Sequence, residues 1–277
     1  MGSPPTEPRL YAEPPDISHI VIEDDEPVDS LYAEKQARLL TEPLYASWSG
    51  PPPRGPQVVD DDGDASSQND PERRSFLATI NVGVFGTPHD PPLVPDVLLS
   101  ADVTVHPDFQ REKRHATYFI WEMGKPPDVV IEVVSNREGG ELGKRMRGYE
   151  RWRVSYYVVW DPMRYLGGPE LRAFKLEVTG YLPLSPTRFP TLGLSLAPWE
   201  GVFETARARW LRWFDARNQL IPTGAERAEA ESARAEAESA RADAERARAE
   251  VERARADRLV ARLKELGLND EGDATEK

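Results

Sequence analysis

The sequence predicts an α/β fold, and three observations carry that prediction. Apolar runs of strand length, FLATINVGVF (76–85), DVLLSADVTV (96–105) and PDVVIEVVS (127–135), follow one another closely. A segment of helical period, GGELGKRMRGYERWR (139–153), comes next, and SYYVVWDP (155–162) returns to strand. The order strand, strand, helix, strand fits a mixed sheet with at least one right-handed βαβ crossover.

The run 96–105 begins just after Pro95, and proline is tolerated at a strand start. PDVVIEVVS is interrupted within its apolar stretch by a single acid, Glu132, which implies a central strand buried on both faces. In the helical segment Leu142, Met146, Tyr149 and Trp152 are spaced four, three and three apart and share one face. LRAFKLEV with YLPL predicts a hairpin beyond. Ala206 to Asn218 reads as a short helix packing Trp210, Leu211 and Phe214. Upstream, Ser30 to Leu44 reads as a helix with Leu31, Ala37, Leu40 and Leu44 on one face.

From Ala225 a seven-residue repeat runs to Leu266, with Arg at the third position of each repeat. Pairs such as Arg234–Glu238 and Arg241–Glu245 stand four residues apart and support a helix. Its seam is mainly Ala until Leu259, Leu263 and Leu266. One long, solvated Ala/Arg/Glu-rich helix is expected, with weak homo-oligomerisation near its leucine-bearing end. The expected organisation is a disordered acidic, Pro-rich arm (1–28), an α/β domain (29–220) with an acidic loop at about 50–74, and a helical tail with a disordered end (221–277). DDDGD within that loop lacks the spacing and closing Glu of a Ca²⁺ loop and reads as a solvated turn.

Absence of cysteine among the 277 residues excludes disulfides and thiolate chemistry and fits a cytoplasmic protein. No signal-peptide pattern opens the sequence, and no apolar run approaches the roughly 20 residues that cross a bilayer, so no membrane is expected. The net charge of −13 argues at face value against a nucleic-acid partner. Its distribution changes that reading: residues 1–75 carry −10, residues 221–277 carry −4, and residues 76–220 carry +1. Arg137 to Arg153 holds six basic residues against Glu138, Glu141 and Glu150. That stretch is either a phosphate-facing surface or a solvated helix face.

Glu132 is the strongest single clue to chemistry. An acid inside VVIEVV is costly to bury unless it is paired or binds a metal. A structural ion pair is the plainer alternative, as a turn or cap is for Asp96. Together they suggest two carboxylates on neighbouring strands about 4.8 Å apart. Two hard oxygen ligands with room for water suit Mg²⁺ or Mn²⁺. Lys144, twelve residues after Glu132, could reach round its helix, activate a water and stabilise phosphate charge. Taken alone it is an ordinary surface lysine. Arg137 comes sooner, but a permanently charged guanidinium is better suited to clamping phosphate than to acting as a base. Asp128 is either an extra site carboxylate or, preferably, a strand-start residue. Ser135 and Asn136 could bind phosphate, although a helix cap is the preferred role. His89, His106 and His115 lack metal-ligand spacing, His19 lies in the arm, and no Walker loop or nucleophile elbow is present.

The segments VPDVLLSADV, PPDVVIEVVSN, ELGKRMRGYERWRVSYYVVWDP and WLRW with LIPTGAERAEAE resemble the Uma-two family, restriction-endonuclease-like proteins of the PD-(D/E)xK nuclease superfamily. The resemblance runs from about Phe76 into the repeat and takes in the helix around Leu31–Leu44. It implies a restriction-endonuclease-like mixed β-sheet core with flanking helices and Mg²⁺-dependent (or Mn²⁺-dependent) hydrolysis of phosphodiesters, with DNA as partner. By that resemblance Pro95-Asp96 is the PD element and Glu132 the second acid. The superfamily lysine would fall at Val134, and the family places it on the following helix, at Lys144. The carbonyl of Val133 is implied as a third metal ligand. The alternative is a catalytically inactive nuclease-fold interaction protein acting through its long C-terminal helix. A third possibility is a nuclease restrained by its acidic arms or by a partner.

Overall fold

The computed structural model describes residues 30–53, 74–87, 90–111, 115, 117–136 and 140–266. The expectations for the arm 1–28, for most of the acidic loop, for His89 and Arg137, and for the chain's end lie outside them.

Helix α1 (Leu31–Ser47) opens at Ser30, whose hydroxyl accepts the Ala33 N–H at 3.1 Å and caps the first turn. Its buried stripe is Ala33, Ala37, Leu40 and Leu44. Leu31, expected on that face, is exposed, because it precedes Ala33 by two residues and points to the other side of the helix. Strands β1 (Phe76–Ile80), β2 (Val84–Phe85), β3 (Val97–Ala101) and β4 (Tyr118–Phe119) follow, then a single turn α2 (Ile120–Met123) and β5 (Val129–Val133). A π-helical turn, Glu141–Arg145, runs into α3 (Met146–Arg151). Beyond lie β6 (Tyr156–Trp160), β7 (Leu171–Glu177), β8 (Gly180–Pro183), β9 (Arg188–Phe189), β10 (Leu194–Phe203), β11 (Ala206–Asp215) and α4 (Gly224–Glu265).

Six strands form a mixed sheet in the order β1-β3-β5-β6-β7-β8. The neighbours β5 and β6 are parallel, linked through the π turn and α3, and the other pairs are antiparallel. Every residue of β3, β5 and β6 is buried, as an apolar run in a two-sided sheet requires. One face packs α1 and the β9–β11 sheet against Val97, Leu99, Ile131, Val158 and Trp160. The other packs Tyr149 and Trp152 against Leu98, Val130, Tyr157 and Val159.

Gln36, fully buried on α1, fixes the first face: its amide donates to the Leu211 carbonyl at 2.9 Å and accepts the Leu211 N–H at 2.8 Å. The segment Ala206–Asn218, expected as a helix, is instead β11, paired along ten positions with β10. Its first half, ARARW, alternates in the period of a strand. Glu204 and Thr205 connect the hairpin, both with positive φ (44° and 70°), a type I′-like turn without the usual Asn or Gly.

The chain divides into two units, Met1–Ile221 and Pro222–Lys277. In the second, α4 begins with a capping box: the Thr223 hydroxyl accepts the Glu226 N–H, and the Glu226 carboxylate accepts the Thr223 N–H. No residue of α4 is buried. Among the described residues no helix is long and apolar enough to cross a membrane.

Candidate active site

The antiparallel register of β3 and β5 pairs Val97 with Ile131. Continued by one residue, it sets Asp96 beside Glu132, and both share the sheet face of Leu98 and Val130. Asp96 is half-buried, and its Oδ2 accepts the Val133 N–H at 2.5 Å. The aspartate thus takes up a strand-end amide where the β3–β5 ladder stops.

Glu132 is 1% exposed. Two donors meet its carboxylate, one on each oxygen: Arg145 Nη1 donates to Oε2 at 2.5 Å and the Tyr149 hydroxyl donates to Oε1 at 3.0 Å. Burial pushes the Glu132 carboxyl up to about 8, and the neighbouring Asp96 charge adds to the rise, while Arg145 and Tyr149 oppose it. The Tyr149 hydroxyl is likewise held well above its ordinary range, by burial first and then by the Glu132 charge. Arg145 is raised too, with Glu132 as the principal cause.

Both donors stand on the segment after β5. Arg145 and Tyr149 are four residues apart, so they share a helical face. The π turn aims that face. Arg145 N–H reaches back five residues to the Gly140 carbonyl at 3.2 Å, and the Tyr157 hydroxyl, from β6, donates to the Glu141 carbonyl at 2.8 Å. A widened turn rotates the residues before it relative to those after it. Leu142, expected on the buried face, is therefore exposed, while Tyr149 and Trp152 are buried. Lys144 is exposed on the same turn. Among the described residues the side chains that donate to Glu132 are Arg145 and Tyr149, not Lys144.

The remaining expectations separate cleanly. Asp128 sits at the far end of β5, where its Oδ2 accepts the Ala101 N–H at 2.7 Å and pairs with Lys125. It is a strand-start residue bracing β3, as preferred. Ser135 and Asn136 do not cap the next helix, which starts from Gly140 with no side-chain cap. His106 and His115 stack at 3.7 Å, yet no cluster of three or more His, Cys, Asp or Glu able to hold a metal occurs among the described residues. The carboxylates of Asp96 and Glu132 nonetheless fit a hard divalent cation. They are oxygen donors of like charge, and the repulsion between them is part of what lifts Glu132.

Residues 67–198 match the family model of Uma2, described as "Putative restriction endonuclease". Over that span the chain is similar to the Uma2 family. The matched region holds Asp96, Glu132, Arg145 and Tyr149, with the six strands of the mixed sheet. It ends inside β10, and α1, β11 and α4 lie outside it. The mixed sheet with flanking helices is consistent with a restriction-endonuclease-like fold, and the similarity to Uma2 suggests a nuclease. A comparison with curated proteins found no match.

Arg145 and Tyr149 are the residues of the candidate site that sequence reasoning passed over. Tyr149 read as core because its spacing is that of an apolar stripe. Arg145 read as one more basic residue in a basic stretch. The available signal was their spacing of four on the helix that follows the strand of Glu132.

Proposed function

We propose that the protein is a Mg²⁺- or Mn²⁺-dependent endonuclease that hydrolyses phosphodiester bonds in DNA, with its centre at Asp96 and Glu132. The observation that carries this reading is the placement of the two carboxylates side by side at the start of β3 and the end of β5, with a guanidinium and a phenol on the second. Asp96, Glu132 and the Val133 carbonyl would hold the cation. Val133 already directs its N–H to Asp96, and a strand residue's N–H and C=O leave the same edge. Such a cation polarises a phosphate oxygen and lowers the pKa of a water.

The chain's own groups have distinct tasks. Tyr149 holds the orientation of the Glu132 carboxylate. Arg145 balances its charge before substrate arrives and then faces the phosphate. Lys144, exposed one residue earlier, supplies a second positive charge at the mouth of the site. Residues 76–220, which hold these groups, carry a net charge of +1.

The deciding experiment incubates the purified chain with supercoiled and linear DNA, with and without Mg²⁺ or Mn²⁺. Metal-dependent cleavage, lost in Glu132→Gln, is the expected result. Absence of cleavage, together with absence of metal binding by calorimetry, would sink the reading. A second reading then gains ground, because no residue of α4 is buried. A helix so exposed suits a protein that acts by association, including weak pairing with its own copy. Sedimentation of the intact chain tests that.

A further inference from the structure

Strands β5 and β6 are parallel neighbours, so their C-terminal ends lie together, and beyond them is a cavity of about 550 Å³. Val134 and Ser135 enter it from β5, and Pro162, Met163 and Tyr165 enter it from the loop after β6. Ligands of open α/β sheets sit outside the carboxyl ends of strands. Val134 is two residues past Glu132, about 7 Å along the strand. It belongs to the same apolar cluster as Tyr149, and its N–H donates to the Trp160 carbonyl at 2.8 Å, which keeps this end of β5 in the ladder. The cavity therefore lies at the same end of β5 as the candidate active site, with α1 and β11 walling its other side.

Its chemistry differs from that of the site. The walls are mostly apolar, and Met163 stands on the rim 67% exposed. Tyr32, on another wall, is fixed: it stacks on Trp210 with centroids 5.1 Å apart, and its hydroxyl donates to the Arg209 carbonyl at 2.7 Å. Arg209 is the cation of the lining, and its guanidinium is engaged by Glu170 at 2.5 Å and by Glu200 at 2.7 Å. A phosphate would find that charge already neutralised. An aromatic base would find apolar and aromatic walls, with the Ser135 hydroxyl at the edge. The volume falls in the range of about 300–1,000 Å³ typical of small-ligand sites.

We propose that this cavity is a subsite for one unstacked nucleobase of the strand whose phosphate lies at Asp96 and Glu132. The proposal rests on the nuclease reading and adds a substrate class to it: nucleic acid with an unpaired nucleotide beside the cut, as in single strands and frayed ends. Stacking of a base on an apolar or aromatic surface supplies the affinity, and it is tolerant of sequence.

The test uses the full chain in EDTA, so that nothing is cut, and a single-stranded oligonucleotide carrying one 5-iodouracil. Irradiation should label cavity residues, Tyr165 or Tyr32 among them, as read by mass spectrometry. Met163→Glu, at an exposed position that leaves folding intact, should weaken single-strand binding about tenfold, and Tyr165→Ala should remove the label. An unlabelled duplex should compete less well than an unlabelled single strand. Labels confined to other surfaces with Met163→Glu binding unchanged would overturn the subsite, as would failure to bind any oligonucleotide. A parallel Mg²⁺ cleavage assay separates the two claims. Cavity labelling without cleavage keeps the subsite and removes the nuclease reading. Glu132-dependent cleavage without cavity labelling does the reverse.

Discussion

The Asp96 carboxylate accepts the Val133 N–H at 2.5 Å, so the half-buried acid at the start of β3 also closes the end of β5. A structural bond and a proposed ligand role meet in one side chain, and two substitutions separate them. Asp96→Asn keeps an oxygen acceptor for that amide and removes the charge. It should retain the melting temperature within a few degrees and lose cleavage by more than about 100-fold. Asp96→Ala also strands the amide and should cost about 1–3 kcal/mol of stability. Denaturant titrations of both variants, set beside their cleavage rates, check the division.

Glu132 gives a pH dependence with a definite sign. Its carboxyl is ordinary in the unfolded chain and raised to about 8 in the fold. The folded state therefore binds the extra proton, and stability from this group is full below about pH 4.5. It is lost as pH rises through about 8. The loss is on the order of a few kcal/mol. Melting temperature measured from pH 5 to pH 9 should fall more steeply in the native chain than in Glu132→Gln, which has no proton to lose. Saturating Mg²⁺ should flatten the native curve, because a bound cation replaces the proton. Parallel curves for the two proteins would show that Glu132 does not titrate in this range.

Tyr149→Phe removes the hydroxyl from Glu132 Oε1 and leaves the ring in the core, where it packs against Tyr157 and Trp152. Expected are a stability cost of about 1–3 kcal/mol and metal affinity weakened by about 10–100-fold. Calorimetric titration with Mn²⁺ reads the second effect. Unchanged affinity with the same loss of stability would make the hydroxyl a purely structural partner.

These residues also show what the sequence could and could not convey. Glu132 stood out because one acid interrupts an apolar strand, and Asp96 because a proline set it at a strand start. Pairing of β3 with β5 then follows from two adjacent central strands. The identity of the donors did not follow. Which of Lys144 and Arg145 faces Glu132 depends on a single widened turn, and no local residue pattern announces a π turn. Tyr149 carries a polar tip on an apolar body, and period reveals only the body. For β11 the hairpin turn uses Glu204 and Thr205, whose positive φ comes at a cost that tertiary contacts offset, since Glu204 pairs with Lys35 and Arg38 on α1.

Gln36 carries the docking of α1 on β11, where one buried amide satisfies both backbone groups of Leu211. Gln36→Ala leaves a donor and an acceptor without partners, and about 2–4 kcal/mol should be lost. Gln36→Glu keeps the shape and the acceptor for the Leu211 N–H but sets a carboxylate oxygen against the Leu211 carbonyl, so it should be at least as damaging at neutral pH. Thermal unfolding of both variants tests this, and a loss under about 0.5 kcal/mol would mean that water reaches the pair.

Arg145 contacts Glu132 and Lys144 stands exposed one residue earlier, and the proposed roles of the two can be told apart. Arg145→Ala removes the counter-ion of a nearly fully buried carboxylate. Because the guanidinium is half exposed, the stability cost is expected at about 1–2 kcal/mol rather than the larger value of a fully buried pair. It should be greatest at pH 9, where the carboxyl is ionised, and small at pH 5, where it holds a proton. Mn²⁺ affinity should rise, since a competing cation has gone, while cleavage falls by about 100-fold for want of positive charge at the phosphate. Arg145→Lys restores one charge without the planar fork and should recover part of the rate. Lys144→Ala, at an exposed position, should leave stability and metal affinity unchanged. Its effect should fall on substrate affinity, weaken with added salt, and stay within about tenfold. If Lys144→Ala instead abolished turnover while Arg145→Ala left it intact, the cation at the phosphate would be the lysine, and Arg145 would serve only to neutralise Glu132 in the resting protein.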